Sequence, residues 1–215
     1  MRLALFDCDG TLVDSAHVIH TCMERTFDDF GIDLPTLAHT KSIIGLTLDL
    51  AIAKMLGRGV DDEISAMTAR YKEHFMLHRQ NGGALEPAYD GMPDLIRSLS
   101  RRDDVILGVV TGKSRRGLDA ILAHHDISGA FFVTRTADDC PSKPHPAMVL
   151  ECCAHTGVDP ENTLVIGDAI YDMQMAGNAG ALGIGVSWGY APVEALNAAG
   201  ARHIAHSADD IAALV

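Results

Sequence analysis

The sequence predicts an α/β fold: a doubly wound parallel sheet forming a Rossmann-like core, with an inserted all-helical domain. Three observations predict it. Short apolar runs recur along the chain, "LALF" (3–6), "VILGVV" (105–110), "AFFV" (130–133), "TLVIG" (163–167) and "LGIGV" (182–186). Continuous runs of this length suit strands buried on both faces, as in a parallel sheet. Amphipathic segments at 93–101, 115–125, 146–156, 171–178 and 192–199 lie between or after them, so strand and helix alternate. One long stretch, 15–88, breaks that alternation and offers no strand-like run.

Taken in order, the first strand drives into Asp7. In the insert, Ile19, Met23, Phe27 and Phe30 keep helical spacing, as do Val60, Ile64, Met67, Tyr71 and Phe75. Between them "TLDLAIAKML" reads as a further helix closed by Gly57. The segment "EPAYDGMP" returns the chain to the core, which gives a catalytic core of 1–14 and 89–215 and a helical cap of 15–88. In open parallel sheets ligands bind beyond the carboxyl ends of the strands. Asp7, Thr111 and Asp168 all fall at such ends, so they should face one another.

At 47% hydrophobic and 21% charged residues, the 215-residue chain has the composition of a soluble globular protein. A formal net charge of −12 argues against nucleic acid or an anionic membrane as partner, although a local pocket can still hold a small anion. Five cysteines, two of them adjacent (Cys152 and Cys153), make no disulfide framework and fit reduced thiols in the cytoplasm. The first apolar run is too short for a signal-peptide core, and no stretch approaches the roughly 20 apolar residues of a membrane helix. A monomer and a homodimer are equally compatible with this reading.

Four motifs carry chemistry. "DCDGT" sets Asp7 and Asp9 one residue apart, and like charges so close need a compensating cation or proton. "VVTGKS" offers the Thr111 hydroxyl and the amides around Gly112 to phosphate oxygens. "SKPHP" fixes Lys143, a compact cation, in a proline-flanked loop. "GDAIYD" puts Asp168 at a strand end and Asp172 one helical turn further on. Oxygen ligands from Asp7, Asp168 and Asp172 would suit Mg²⁺, and that ion together with Lys143 would offset the carboxylates. Each motif alone is ordinary: an Asp-x-Asp turn, a Gly-Asp N-cap. Their joint order, each behind a buried strand, makes one constellation.

These motifs, and above all "FDCDGTLVDS", resemble the haloacid dehalogenase superfamily of phosphohydrolases. "KPHP", "GDAIYDMQMAGNAG" and "VSWGY" look most like its phosphoglycolate phosphatase branch. The resemblance implies that Asp7 is the nucleophile and Asp9 the general acid/base. It implies that Mg²⁺ is held by Asp7, the Asp9 backbone carbonyl, Asp168 and Asp172, and that Thr111, Gly112 and Lys143 bind the transferring phosphoryl group. The expected activity is Mg²⁺-dependent hydrolysis of a small-molecule phosphate monoester, phosphoglycolate-like, through an aspartyl phosphate. Dehalogenases of the superfamily typically lack a carboxylate at the Asp9 position, so its presence favours phosphate chemistry. A phosphomutase or a pyrophosphatase of the same fold is the closer rival. A receiver-like phosphorylation switch uses the same Asp, Mg²⁺, Thr and Lys set, but the helical insert and the placement of Asp9 count against it. As an acid near neutral pH, Asp9 would need negative neighbours and cap closure to keep its proton.

In the cap, "HTKSIIGLT" turns around Gly45, where Lys41 and Ser42 are candidates for contacting the leaving group. Cys8 reads as a small buried filler. His74 and His78 stand at i,i+4 spacing but lack a third zinc ligand, so they read as a solvated or cap-packing pair. Arg115 and Arg116 read as a solvated helix face, and Trp188 as core.

Overall fold

Leu3, Ala4, Leu5 and Phe6 of β1 (Arg2–Phe6) are all fully buried and alternate between the two faces of a sheet. Ala4 and Phe6 pack into one hydrophobic cluster, Leu3 and Leu5 into another on the opposite side. A strand covered on both faces has no room for polar residues, which is why the run is continuous in sequence. The computed structural model describes residues 1–81, 83 and 86–215 of the chain. Within the expected cap segment, residues 82, 84 and 85 lie outside the described residues.

The remaining strands are β2 (Val105–Val110), β3 (Val133–Arg135), β4 (Thr163–Gly167), β5 (Leu182–Val186) and β6 (His203–Ala205). They form a single parallel sheet in the order β3-β2-β1-β4-β5-β6. From β1 the chain winds outward through β2 and β3, then crosses back to β4 on the other side of β1. The carboxyl ends of β1 and β4 therefore flank the point where winding reverses, the place where open α/β sheets form a ligand crevice.

Ten α-helices accompany the strands among the described residues. The cap holds α1 (Ala16–Asp29), α2 (Leu37–Lys41), α3 (Leu48–Met55) and α4 (Asp62–Gln80). The core holds α5 (Met92–Leu99), α6 (Arg115–His124), α7 (Ala147–Thr156), α8 (Ile170–Ala179), α9 (Val193–Ala198) and α10 (Ala208–Leu214). Helices α5, α6 and α10 cover one face of the sheet, and α7 and α8 the other. The cap has its own core, in which Met23 and Phe27 of α1 meet Ile52 of α3 and Ile64, Met67 and Tyr71 of α4.

Two expectations about elements need correction. "AFFV" is not a strand: its end is the start of β3, preceded by a 3₁₀ turn at Ser128–Ala130. β3 is the sheet edge, so Phe132 finds no layer to cover it and is 65% exposed, while Phe131 stacks edge-on to Phe6. Beyond Ala199 the sequence showed no element, yet β6 and α10 complete the sheet. β6 has three residues and only Ala205 is buried, too little for an apolar run.

Cap and core meet through paired linkers. Val13 bridges Ala88 in antiparallel fashion, and the Asp14 amide donates to the Pro87 carbonyl at 2.9 Å. The Tyr190 hydroxyl accepts from the Ser15 amide at 2.9 Å and reaches Asp14 Oδ1 at 3.1 Å. On the far side Lys54 Nζ donates to the Tyr171 hydroxyl at 2.7 Å, which donates in turn to the Ser42 carbonyl at 3.0 Å. The Thr47 amide donates to Ser142 Oγ at 2.9 Å.

The independent cap core gives a direct test. Ile52→Ala removes a fully buried side chain from it. The substitution is expected to lower unfolding stability by about 2–5 kcal/mol, read from the urea midpoint at unchanged slope.

Candidate active site

Asp7 follows β1 directly, Thr111 follows β2 and Asp168 follows β4, so three strand ends deliver them to one crevice. Asp172 comes from the first turn of α8, and Lys143 from the loop between β3 and α7. All five side chains are buried. Carboxylate oxygens of Asp7, Asp168 and Asp172 lie within 4.8 Å of one another. Among the described residues this is the one acidic, His or Cys cluster of ligand geometry, and the His74–His78 pair does not form another. His74 instead holds Asp29 of α1 at 2.7 Å, packing the cap as expected.

Lys143 Nζ donates to Asp172 Oδ1 at 2.6 Å and sits 2.9 Å from Asp7 Oδ1. The contact with Asp7 is close enough to attract but not aligned as a hydrogen bond, and neither Asp7 oxygen has a hydrogen-bond partner among the described residues. Burial pushes the Asp7 carboxyl up to about 7 against the pull of Lys143, with Asp172 adding to the rise. Burial, then Asp172 and Asp7, drive Asp168 well above the usual carboxylate range. For Lys143 burial opposes the charge, but Asp172 and Asp7 outweigh it and hold its pKa high. Two of the three carboxylates, Asp7 and Asp172, thus share one lysine. The orphaned oxygens of Asp7 and the all-oxygen donor set fit a hard divalent cation.

Backbone geometry holds these groups in place. Asp168 accepts from Thr11 Oγ1 at 3.1 Å and from the Tyr190 amide at 2.9 Å. Asp172 Oδ2 accepts from the Ala169 amide at 3.0 Å, so both its oxygens are engaged. Gly10 has φ +85°, and a Cβ there would lie 2.2 Å from Asp168 Oδ2. Only glycine permits the turn and the approach together. At Gly112 a Cβ would meet the Leu46 carbonyl at 2.5 Å, so the cap loop rests directly on the loop after β2.

Asp9, for which negative neighbours were expected, is paired with a cation. Lys113 Nζ donates to Asp9 Oδ1 at 2.7 Å and lies 3.6 Å from Glu86 Oε1. Burial opposes the Lys113 charge, but Asp9 first among its acidic neighbours raises the pKa above the ordinary lysine value. Glu86, buried in the returning linker, also receives Arg79 Nη2 on both oxygens, at 2.8 and 3.1 Å. Lys113, Glu86 and Arg79 were not singled out from the sequence. Lys113 stands inside the quoted "VVTGKS", two residues past Thr111, which was the available signal. Cys8 packs in the core, its thiol pushed well above its usual range by burial and by Asp9.

A cavity of about 910 Å³ opens from Asp7, Asp9 and Thr111 outward between the cap and α6. Gly45 lines it, as do Gly112 and Lys113. Lys41 and Ser42, the expected leaving-group contacts, are not among the residues that line it. They close the five-residue helix α2, where Ser42 Oγ turns back to the His39 carbonyl at 2.7 Å and Lys41 Nζ lies over the Tyr190 ring. Arg115 is tied to Asp139 and to the Thr134 carbonyl, whereas Arg116 reaches the cavity rim. Trp188 packs beside Tyr89 and donates to the Thr11 carbonyl at 3.3 Å.

The sequence profile of the haloacid dehalogenase-like hydrolases matches residues 4–186. A phosphoglycolate phosphatase of Pseudomonas putida is 29% identical over 192 residues, covering 88% of this chain and 70% of that one. An N-acetylmuramic acid 6-phosphate phosphatase of Pseudomonas aeruginosa is 26% identical over 192 residues, covering 88% and 83%. A haloacid dehalogenase-like family hydrolase of Streptococcus pneumoniae superposes with a TM-score of 0.84 at 24% identity, over 100% of this chain and 98% of that one.

The charge imbalance has a measurable sign. An Asp7 carboxyl raised from 3.8 to about 7 stabilises the metal-free fold only while protonated. That contribution is complete below pH 4 and is lost as pH rises through 7. In EDTA, Asp7→Asn is therefore expected to melt several degrees above wild type at pH 8, with the gap closing toward pH 4. Superimposable melting curves at pH 8 would mean that the ionised carboxylate carries no such cost.

Proposed function

The chain belongs to the haloacid dehalogenase-like hydrolases, and from that premise we propose that it hydrolyses a small-molecule phosphate monoester through an aspartyl phosphate on Asp7, with Mg²⁺ as cofactor. Phosphoglycolate is the reference substrate because relatives carry that name. The observation that carries the reading is the Asp7 carboxylate itself. It stands at the carboxyl end of the central strand, buried, beside Lys143, with neither oxygen spent on a hydrogen bond among the described residues.

In this proposal one Asp7 oxygen attacks phosphorus in line and displaces the substrate alkoxide, splitting one difficult displacement into two. Asp9 protonates the departing oxygen, then takes a proton from the water that hydrolyses the acyl phosphate. For Asp9 to acquire that proton, the Lys113 contact has to loosen, which an arriving dianionic phosphate favours by offering Lys113 a stronger partner. Lys143, the Thr111 hydroxyl and the Gly112 amide hold the phosphoryl oxygens. Asp7, Asp168, Asp172 and the Asp9 backbone carbonyl are the residues that would hold the ion. With both side-chain oxygens engaged, Asp172 serves chiefly by fixing Lys143. When bound, Mg²⁺ supplies Lewis-acid charge to the phosphoryl group.

Phosphate release is expected to need Mg²⁺ and to vanish after exhaustive chelation. Full activity in EDTA would remove the metal from the mechanism. With ³²P-labelled substrate in single-turnover quench experiments, wild type is expected to trap label on the protein, while Asp7→Asn neither labels nor turns over. Labelling without release of inorganic phosphate would instead favour a switch or mutase. Asp9→Asn is expected to slow alkyl phosphate cleavage by about 10²–10⁴-fold while leaving Mg²⁺ affinity intact.

A further inference from the structure

We infer that the alcohol released at this site is bulky, apolar and uncharged, such as an arylalkyl or ring-bearing alcohol. The inference rests on the phosphatase reading above and concerns only the leaving group. Kinship leaves that group open, because relatives of similar identity are named for a two-carbon acid and for an amino-sugar acid.

Three features of the cavity carry the inference. Its size, about 910 Å³, sits at the upper end of what encloses a drug-sized ligand, and a glycolate would leave most of it filled with water. Its cap-side lining is mostly apolar, with Ile19, Met23, Ile43, Leu46, Tyr71 and Phe75 among it, although Asp49 and Gln80 also lie there. The third feature is where the cations are. A carboxylate beside the reacting phosphate would need a second positive charge near the floor, yet Lys113 is divided between Asp9 and the phosphate itself, and Arg79 is spent on Glu86. Among the described residues, the lining cations outside any ion pair are Lys72 and Arg116, both exposed. The inner wall thus rewards apolar surface and offers an anion little.

Matched pairs test this without confusing binding with chemistry. Calorimetric titrations in Mg²⁺ would compare 3-phenylpropylphosphonate, propylphosphonate and 3-phosphonopropionate, which mimic the phosphates of phenylethanol, ethanol and glycolate. Turnover would be measured on 2-phenylethyl phosphate, ethyl phosphate and phosphoglycolate; the first two release alkoxides of similar basicity. The phenyl member of each series is expected to lead its ethyl counterpart by about 30-fold, in affinity and in kcat/KM, and to exceed the glycolate member. Phe75→Ala is expected to cut that ratio, and so is Leu46→Ala, a loop variant chosen in case the helix variant fails to fold. Equal affinity across the phenyl and propyl phosphonates, or tighter binding of 3-phosphonopropionate, would overturn the inference while leaving the phosphatase reading intact. Preference for the phenyl phosphonate with no turnover of any ester would uphold the apolar pocket and bring down the phosphatase reading instead.

Discussion

Three carboxylates buried together, two of them on one lysine, form the constraint on which the rest of this structure depends. Asp7, Asp168 and Asp172 repel one another in a medium that screens charge poorly, and Lys143 answers only part of that repulsion. Nothing local would assemble them. They meet because β1 and β4 are neighbours in the sheet, and because strands with both faces buried hold their register against the electrostatic cost. Gly10, the Thr11 hydroxyl and the Tyr190 amide then crowd Asp168 closely enough to fix its direction. The scaffold supplies the stability, and the site consumes some of it to keep a reactive carboxylate poised.

A second division of charge runs beside the first. Lys143 belongs to Asp7 and Asp172, and Lys113 belongs to Asp9 and Glu86. Asp7 and Asp9 are two residues apart in sequence, yet each has its own cation and its own surroundings. The second set is also composite, since Glu86 and Arg79 lie in the insert or its return path while Lys113 and Asp9 lie in the core.

Much of this was legible in the sequence, and the reasons are physical. Strands such as "VILGVV" and "TLVIG" are buried on both sides, so they announce themselves as unbroken apolar runs. The chemistry-bearing residues follow those runs immediately, which made Asp7, Thr111 and Asp168 readable as neighbours. What escaped reading lacked either burial or sequence proximity. β6 is three residues long with one buried, and the aromatic run before β3 lies at an uncovered sheet edge. The Lys113–Asp9 pair spans 104 positions, and no local pattern records it. Lys41 and Ser42 occupy the right loop, but the short helix α2 turns their side chains onto Tyr190 and onto the helix itself.

The linkers of the cap carry a consequence for how such a molecule can be altered. Asp14 and Pro87 are joined by a hydrogen bond, and Val13 and Ala88 by a bridge, so the insert leaves and rejoins the core at a single point. To the sheet, everything between them has the footprint of a hairpin turn, whatever its length. A graft that preserves this one junction would leave the spacing of β1 and α5 untouched, because among the described residues no strand pairing runs through the exchanged segment. As far as the sheet is concerned the insert is exchangeable at two positions that lie side by side, with Glu86 and Arg79 the side chains an exchange would have to match.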